Sequence, residues 1–156
     1  MAYYGRRRGN QRKQKNPLKY ALRLLRYRVR FENELRRRLK NQGFSEEEIE
    51  DTIATLKRQG YIDDEKSAFL FAIDEMRLKL FGPKILKMKL RSLGVDEETS
   101  ERAIEKALSE IDFSEELKRL KTRFKDRREI KDYLYKRGFE ISHIEEILDQ
   151  IDGGEQ

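Results

Sequence analysis

"LRRRLKNQGF", residues 35–44, sets the fold, because its outline returns as "LKMKLRSLGV" at 86–95 and "IKDYLYKRGF" at 130–139. Each copy has two apolar residues four apart and then a glycine: Leu35, Leu39, Gly43; Leu86, Leu90, Gly94; Ile130, Leu134, Gly138. Spacing of four lays the apolar pair on one helical stripe. The glycine suits the left-handed residue that closes a helix, where a Cβ is penalised. A second stripe follows six, ten and thirteen residues past the glycine. It reads Ile49, Ile53 and Leu56 in the first copy and Ile144, Leu148 and Ile151 in the third. The pattern is weaker in the middle copy, which has Ser100, Ile104 and Ala107 there.

Helix starts are legible around these stripes. Ser45 with Glu48, Asp112 with Glu115, Asp126 with Glu129 and Ser142 with Glu145 all have capping-box spacing, and Phe44 can staple onto Ile49. Asp63 or Asp64 caps one further helix and Asp96 another. Both prolines fall at helix starts, and no sustained period-two alternation signals a strand. The pattern predicts helices near 18–30, 32–42, 46–58, 65–80, 83–93, 97–109, 113–125, 127–137 and 142–151. Phe69, Phe71, Ala72, Ile73, Met76 and Leu80 make the fourth apolar on much of its circumference, so it is expected to be the most buried. The expected architecture is all-α: three tandem three-helix repeats forming an elongated, curved rod of either hand. Its parts are a flexible basic arm (1–17), repeats at 18–60, 61–110 and 111–152, and a disordered tail (153–156).

Composition agrees with thin helical layers. Only 37% of residues are apolar and 42% are charged, too little apolar material for a thick core. No apolar run approaches the ~20 residues of a membrane span, and no signal-peptide centre is present. The absence of cysteine excludes disulfides and thiolate metal sites and fits a reducing cytoplasm. Asp63-Asp64-Glu65 reads as a helix start rather than a magnesium site. His143 is the only histidine, expected to be exposed and without a catalytic partner. There is no glycine-rich phosphate loop. The expectation is a chain without catalysis.

Charge is unevenly placed. Residues 1–31 hold eleven of the 36 Lys and Arg and none of the 30 Asp and Glu. Within "GRRRGNQRKQKNP", residues 5–17, Arg6, Arg7, Arg8, Arg12 and Lys13 are candidate phosphate contacts, with Tyr3 and Tyr4 as stacking partners. A passive solvated tail is the competing reading. In the repeats the candidates are Arg36, Arg37, Arg38 and Lys40, then Lys84, Lys87, Lys89 and Arg91, then Arg127, Arg128, Lys136 and Arg137. Solvated helix faces account for any one of these cations; recurrence in three copies singles out the set.

The ordered blocks "ALRLLRYR…ELRRRLKNQGFSEEEIEDTIATLKRQGYIDDEKSA" (21–68) and "MRLKLFGPKILKMKLRSLGVDEE" (76–98) resemble the RecX regulatory proteins. The Arg-Gly-Phe at 137–139 is similar to the family's last repeat, so the likeness covers roughly 18–151. Arg77, Gly82 and Pro83 match the family's Arg…Gly-Pro arrangement, and Arg77 joins the candidate contacts. The resemblance implies three three-helix repeats, no cofactor, and a partner: the RecA recombinase assembled on single-stranded DNA, whose groove such proteins occupy. It implies a regulator that limits filament extension, ATP hydrolysis and strand exchange. The expected molecule is a monomer that touches single-stranded DNA, with duplex DNA as a further partner. The family often has a small polar cap before its second helix, where this chain has Phe31. Either another residue caps that joint or the first two helices meet differently. The alternative is an autonomous DNA-binding protein, since helix, glycine turn and helix resemble a helix-turn-helix. Against it, the helices after the glycines begin with acids: Glu46-Glu47-Glu48, Glu97-Glu98 and Glu145-Glu146.

Overall fold

A computed structural model describes residues 16–153. Most of the basic arm, with its five candidate contacts, and residues 154–156 lie outside the described residues, as does the side chain of Ile151. Nine α-helices and no strand occur among the described residues, in two compact units, 1–62 and 63–156.

The first unit contains α1 (Pro17–Tyr27), α2 (Glu32–Asn41) and α3 (Glu46–Arg58), each packed on the other two. Its core is the predicted stripe, Leu35, Leu39, Ile49, Ile53 and Leu56, joined by Ala21 and Ile62. Asn16 accepts a hydrogen bond from the Lys19 N–H at the start of α1, and Pro17 takes the first helical position. Ser45 and Glu48 close the expected capping box on α3, at 3.1 and 3.2 Å.

The α1–α2 joint answers the question raised by Phe31. The first helix stops at Tyr27, three residues short of the predicted end, and Arg28 is extended. Phe31 turns inward and makes no side-chain cap. Arg30 closes the joint instead, although it is only 7% exposed. Its Nε–H donates to the Leu24 carbonyl at 3.2 Å, and its Nη1 pairs with Glu34 at 2.6 Å. A cation on an orphan carbonyl at a helix C-terminus replaces the missing glycine. Removing the charge of Glu34 leaves Arg30 buried and uncompensated. Glu34→Gln is therefore expected to lower stability by about 1.5–3 kcal/mol, read as a lower urea midpoint.

The second unit contains α4 (Asp64–Lys79), α5 (Pro83–Ser92), α6 (Glu97–Glu110), α7 (Ser114–Arg123), α8 (Arg127–Lys136) and α9 (Ile141–Asp152). α6 packs against α4 and α5, and α8 against α9. The middle stripe, though less apolar in sequence, is buried throughout: Ser100, Ile104 and Ala107. Small residues make this possible, since Ala68 and Ala72 on α4 and Ala103 and Ala107 on α6 allow close approach of the most extensively packed helix pair. For the same reason α4 is not the most buried helix. Only the stripe Ala68, Ala72 and Met76 is buried, and Leu70 and Leu78 stand exposed. An apolar circumference does not place a helix inside when one stripe has a partner.

Asp63, Asp96 and Asp126 cap α4, α6 and α8. Two predicted starts shift. Asp112 accepts from the Ser114 N–H at 2.9 Å but Phe113 holds the cap position, and Ser142 lies inside α9. The Glu140 carbonyl takes the Ile144 N–H at 3.0 Å, so α9 begins without a side chain from Ser142. His143 is half-buried in a cleft beside Ile111 and Phe113 rather than exposed.

The repeated glycines close their helices in one way. Gly43, Gly94 and Gly138 have φ of 90°, 83° and 94°, and the next residue donates to the carbonyl five back: Phe44 to Leu39, Val95 to Leu90, Phe139 to Leu134. Gly60 makes a fourth such end, with Tyr61 donating to Leu56 at 2.9 Å.

The last of these ends carries the start of α5. The Gly82 N–H donates to the Arg137 carbonyl at 2.8 Å, and the Lys84 N–H to the Gly138 carbonyl at 3.0 Å. A Cβ on Gly82 would lie 2.4 Å from the Gly138 carbonyl carbon and the Phe139 nitrogen. Side chains fasten the same joint. Arg137 donates to the Lys79 carbonyl and lies over the Phe81 ring at 4.3 Å; Lys89 sits over that ring at 4.3 Å as well. Glu75 pairs with Lys89 at 2.7 Å and Lys79 at 3.0 Å.

Burial pulls the Glu75 carboxyl up, but the hydrogen bonds from Lys89 and Lys79 outweigh it and hold the group below the ordinary range. A lowered folded-state value adds stability above the unfolded glutamate value, about 4.3, and loses it as pH falls through the folded value. Glu75→Gln is therefore expected to be less stable than the parent at neutral pH. The gap should close on acidification below about pH 4, as followed by thermal melts across a pH series.

Candidate nucleic-acid and partner interface

The three copies share more than their apolar stripes. An ion pair fourteen residues apart joins the second and third helix of each: Arg36 to Glu50, Lys87 to Glu101 at 2.7 Å, and Lys131 to Glu145 at 2.6 Å. The positions are equivalent when each copy is counted from its glycine. A second equivalence reverses sign. Glu32 pairs with Lys57 at 2.7 Å in the first copy, and Arg127 with Asp152 in the third, while the middle copy has Pro83 and Leu108 at those positions. Apolar stripes do not reveal these acids; opposite charges fourteen apart mark the first set of pairs, and opposite charges twenty-five apart mark the second.

The pairs sort the predicted cations. Arg36, Lys87, Lys89, Arg127 and Lys136 each face a carboxylate, Arg137 is fastened to Lys79 and Phe81, and Lys84 lies over the Tyr135 ring at 5.5 Å. Burial raises the Glu32 carboxyl, but hydrogen bonds from Lys57 and Arg36 hold it below the ordinary range. Arg36 is raised by its bond to Glu50. Among the described residues, Arg37, Arg38, Lys40, Arg77, Arg91 and Arg128 are exposed and make no ion pair. Arg37, Arg38 and Lys40 stand together on α2; Arg77, Arg91 and Arg128 belong to α4, α5 and α8. Exposed pairs such as Lys136–Asp132 are worth little and yield readily to a stronger anion.

Net charge divides between the units. Residues 1–62 carry 17 Lys and Arg against 7 Asp and Glu, a net +10; residues 63–156 carry 19 against 23, a net −4. No group of three His, Cys, Asp or Glu suited to a metal ion occurs among the described residues, and no described helix is long and apolar enough to cross a membrane.

Residues 18–61 match the family model for the first three-helix domain of RecX. A regulatory protein RecX of Thermotoga maritima is 70% identical over 161 aligned positions, covering all of both chains. That of Thermotoga petrophila is 69% identical over the same extent. One from Caldanaerobacter subterraneus is 31% identical, covering 83% of this chain and 67% of its own. Among solved structures, RecX from Lactobacillus salivarius superposes with a TM-score of 0.67 at 24% identity, covering 87% of this chain and 94% of that one. A second regulatory protein RecX gives 0.60 at 25% identity, with 85% and 70% covered.

Proposed function

Because this chain belongs to the RecX family of regulatory proteins, we propose that it is a non-catalytic regulator of RecA assembled on single-stranded DNA. It lies in the filament's helical groove and limits filament extension, ATP hydrolysis and strand exchange. It acts as a monomer in the cytoplasm, through three modules at 18–60, 61–110 and 111–152.

The observation that carries this reading is the recurrence of one ion-paired helix couple in every copy. A module written three times suits a polymer that repeats its own surface, because weak contacts reinforce one another through high local concentration. The nucleic-acid contacts are the arm cations, Arg6, Arg7, Arg8, Arg12 and Lys13, with Arg37, Arg38 and Lys40 on α2. Their net charge supplies the counterion release on which binding to phosphates depends. Independent duplex reading by a helix-turn-helix fits less well. The first turn of α3, which would have to enter a groove, exposes Glu46, Glu47 and Glu48.

Filament growth tests the proposal. RecA polymerising on a fluorescent single-stranded circle is expected to slow progressively and stop short as this protein is added up to one per recombinase subunit. Growth at an unchanged rate to the same end point would refute it.

A further inference from the structure

Two clefts of the second unit occupy equivalent places. The α5/α6 cleft, about 420 Å³, is lined by Lys84, Lys87, Met88, Arg91, Glu97 and Ser100. The α8/α9 cleft, about 750 Å³, is lined by Arg128, Lys131, Asp132, Tyr135, Ile141 and Ile144, each 44 positions after its counterpart. The clefts adjoin, because Lys84 of the first lies against the Tyr135 ring of the second. Together they present exposed apolar side chains: Met88 at 72%, Tyr135 at 52% and Ile141 at 65%. Ser100 in the first cleft is 2% exposed, and its hydroxyl has no hydrogen-bond partner among the described residues.

The charge of this surface selects its occupant. Five cations line the two clefts against six acids, and Asp126, Glu129, Asp132 and Glu145 ring the second. A phosphate backbone would meet that ring at a cost, since nucleic acid is held by a cationic surplus. Exposed apolar anchors among balanced charges match a polypeptide instead, which brings apolar side chains for the floor and both signs for the rim. We infer that the joined α5/α6 and α8/α9 clefts dock an amphipathic polypeptide segment of the recombinase, while the first unit, at net +10, holds the nucleic acid. This assignment rests on the filament-binding reading above and divides its two partners between the two units.

The test compares Met88→Glu and Ile141→Glu with the parent chain. Both sites are exposed and accept glutamate in a helix, and unchanged circular dichroism and melting confirm the fold. Binding is measured to RecA assembled on an oligothymidylate and to the bare oligothymidylate. The double variant is expected to bind the filament at least tenfold more weakly and the bare strand within twofold of the parent. Undiminished filament binding overturns the groove assignment alone. A parallel loss on bare strand makes the groove a nucleic-acid track and overturns it too. A parent chain that binds bare strand but not filament overturns the reading of function and the groove with it.

Discussion

Gly82→Ala is expected to destabilise the second unit by about 3 kcal/mol. Three observations set the size. The backbone at Gly82 has φ of −86°, which alanine adopts freely, so the chain conformation itself carries no penalty. Replacing glycine there would even stabilise slightly through the unfolded chain. The new Cβ, however, would lie 2.4 Å from two backbone atoms of Gly138 and Phe139 and 2.6 Å from the Gly138 oxygen. Backbone cannot rotate aside as a side chain can. The two hydrogen bonds that dock α5 on the end of α8 must break or lengthen. Gly60→Ala supplies the contrast. Its φ is +76°, yet nothing lies within 4 Å, so it should cost only about 1–2 kcal/mol for the left-handed conformation. Urea melts of both variants give the comparison. Equal losses, or a larger loss at Gly60, would mean that α5 does not rest on the Arg-Gly-Phe turn.

Removing the cations of the first unit is expected to produce the largest change in nucleic-acid binding. Each phosphate contact on a single strand contributes about 0.7 to the slope of log affinity against log salt. Replacing Arg37, Arg38 and Lys40 by alanine should flatten that slope by about 2 if all three touch phosphate. Deleting residues 5–15, which hold Arg6, Arg7, Arg8, Arg12, Lys13 and Lys15, should flatten it further by up to about 4. The three α2 positions are exposed and unpaired among the described residues, so stability should hardly move. Titration of a labelled oligothymidylate at several salt concentrations reads the slope. An unchanged slope after the deletion would make the arm a passive tail.

The contrast between these two variants follows what the sequence carries. Stripes such as Leu35–Leu39 and Ile49–Ile53–Leu56 are local and periodic, so the helices and their buried faces were readable from spacing alone. Closing glycines and capping aspartates were readable for the same reason, since each acts within a few residues. The docking of Gly82 on Gly138 was not, because it joins residues 56 apart through backbone atoms. Arg30 was hidden as well. It counts as one more cation of the basic head, and only the extended stretch after Tyr27 turns it inward. The burial of α4 is not legible in its composition, which reports how apolar a helix is and not how many of its faces find a neighbour. Among the site residues, spacing identified the basic positions. It could not separate Arg36, which faces Glu50, from Arg37 and Arg38, which face solvent.

The most direct measurement of the central claim is ATP hydrolysis by RecA on single-stranded DNA, with this protein titrated in. A repeated module that touches the filament along its length predicts progressive inhibition, nearly complete at stoichiometric amounts and weaker for the Met88→Glu/Ile141→Glu variant. A hydrolysis rate that stays constant through that titration, while filaments remain assembled, would contradict it.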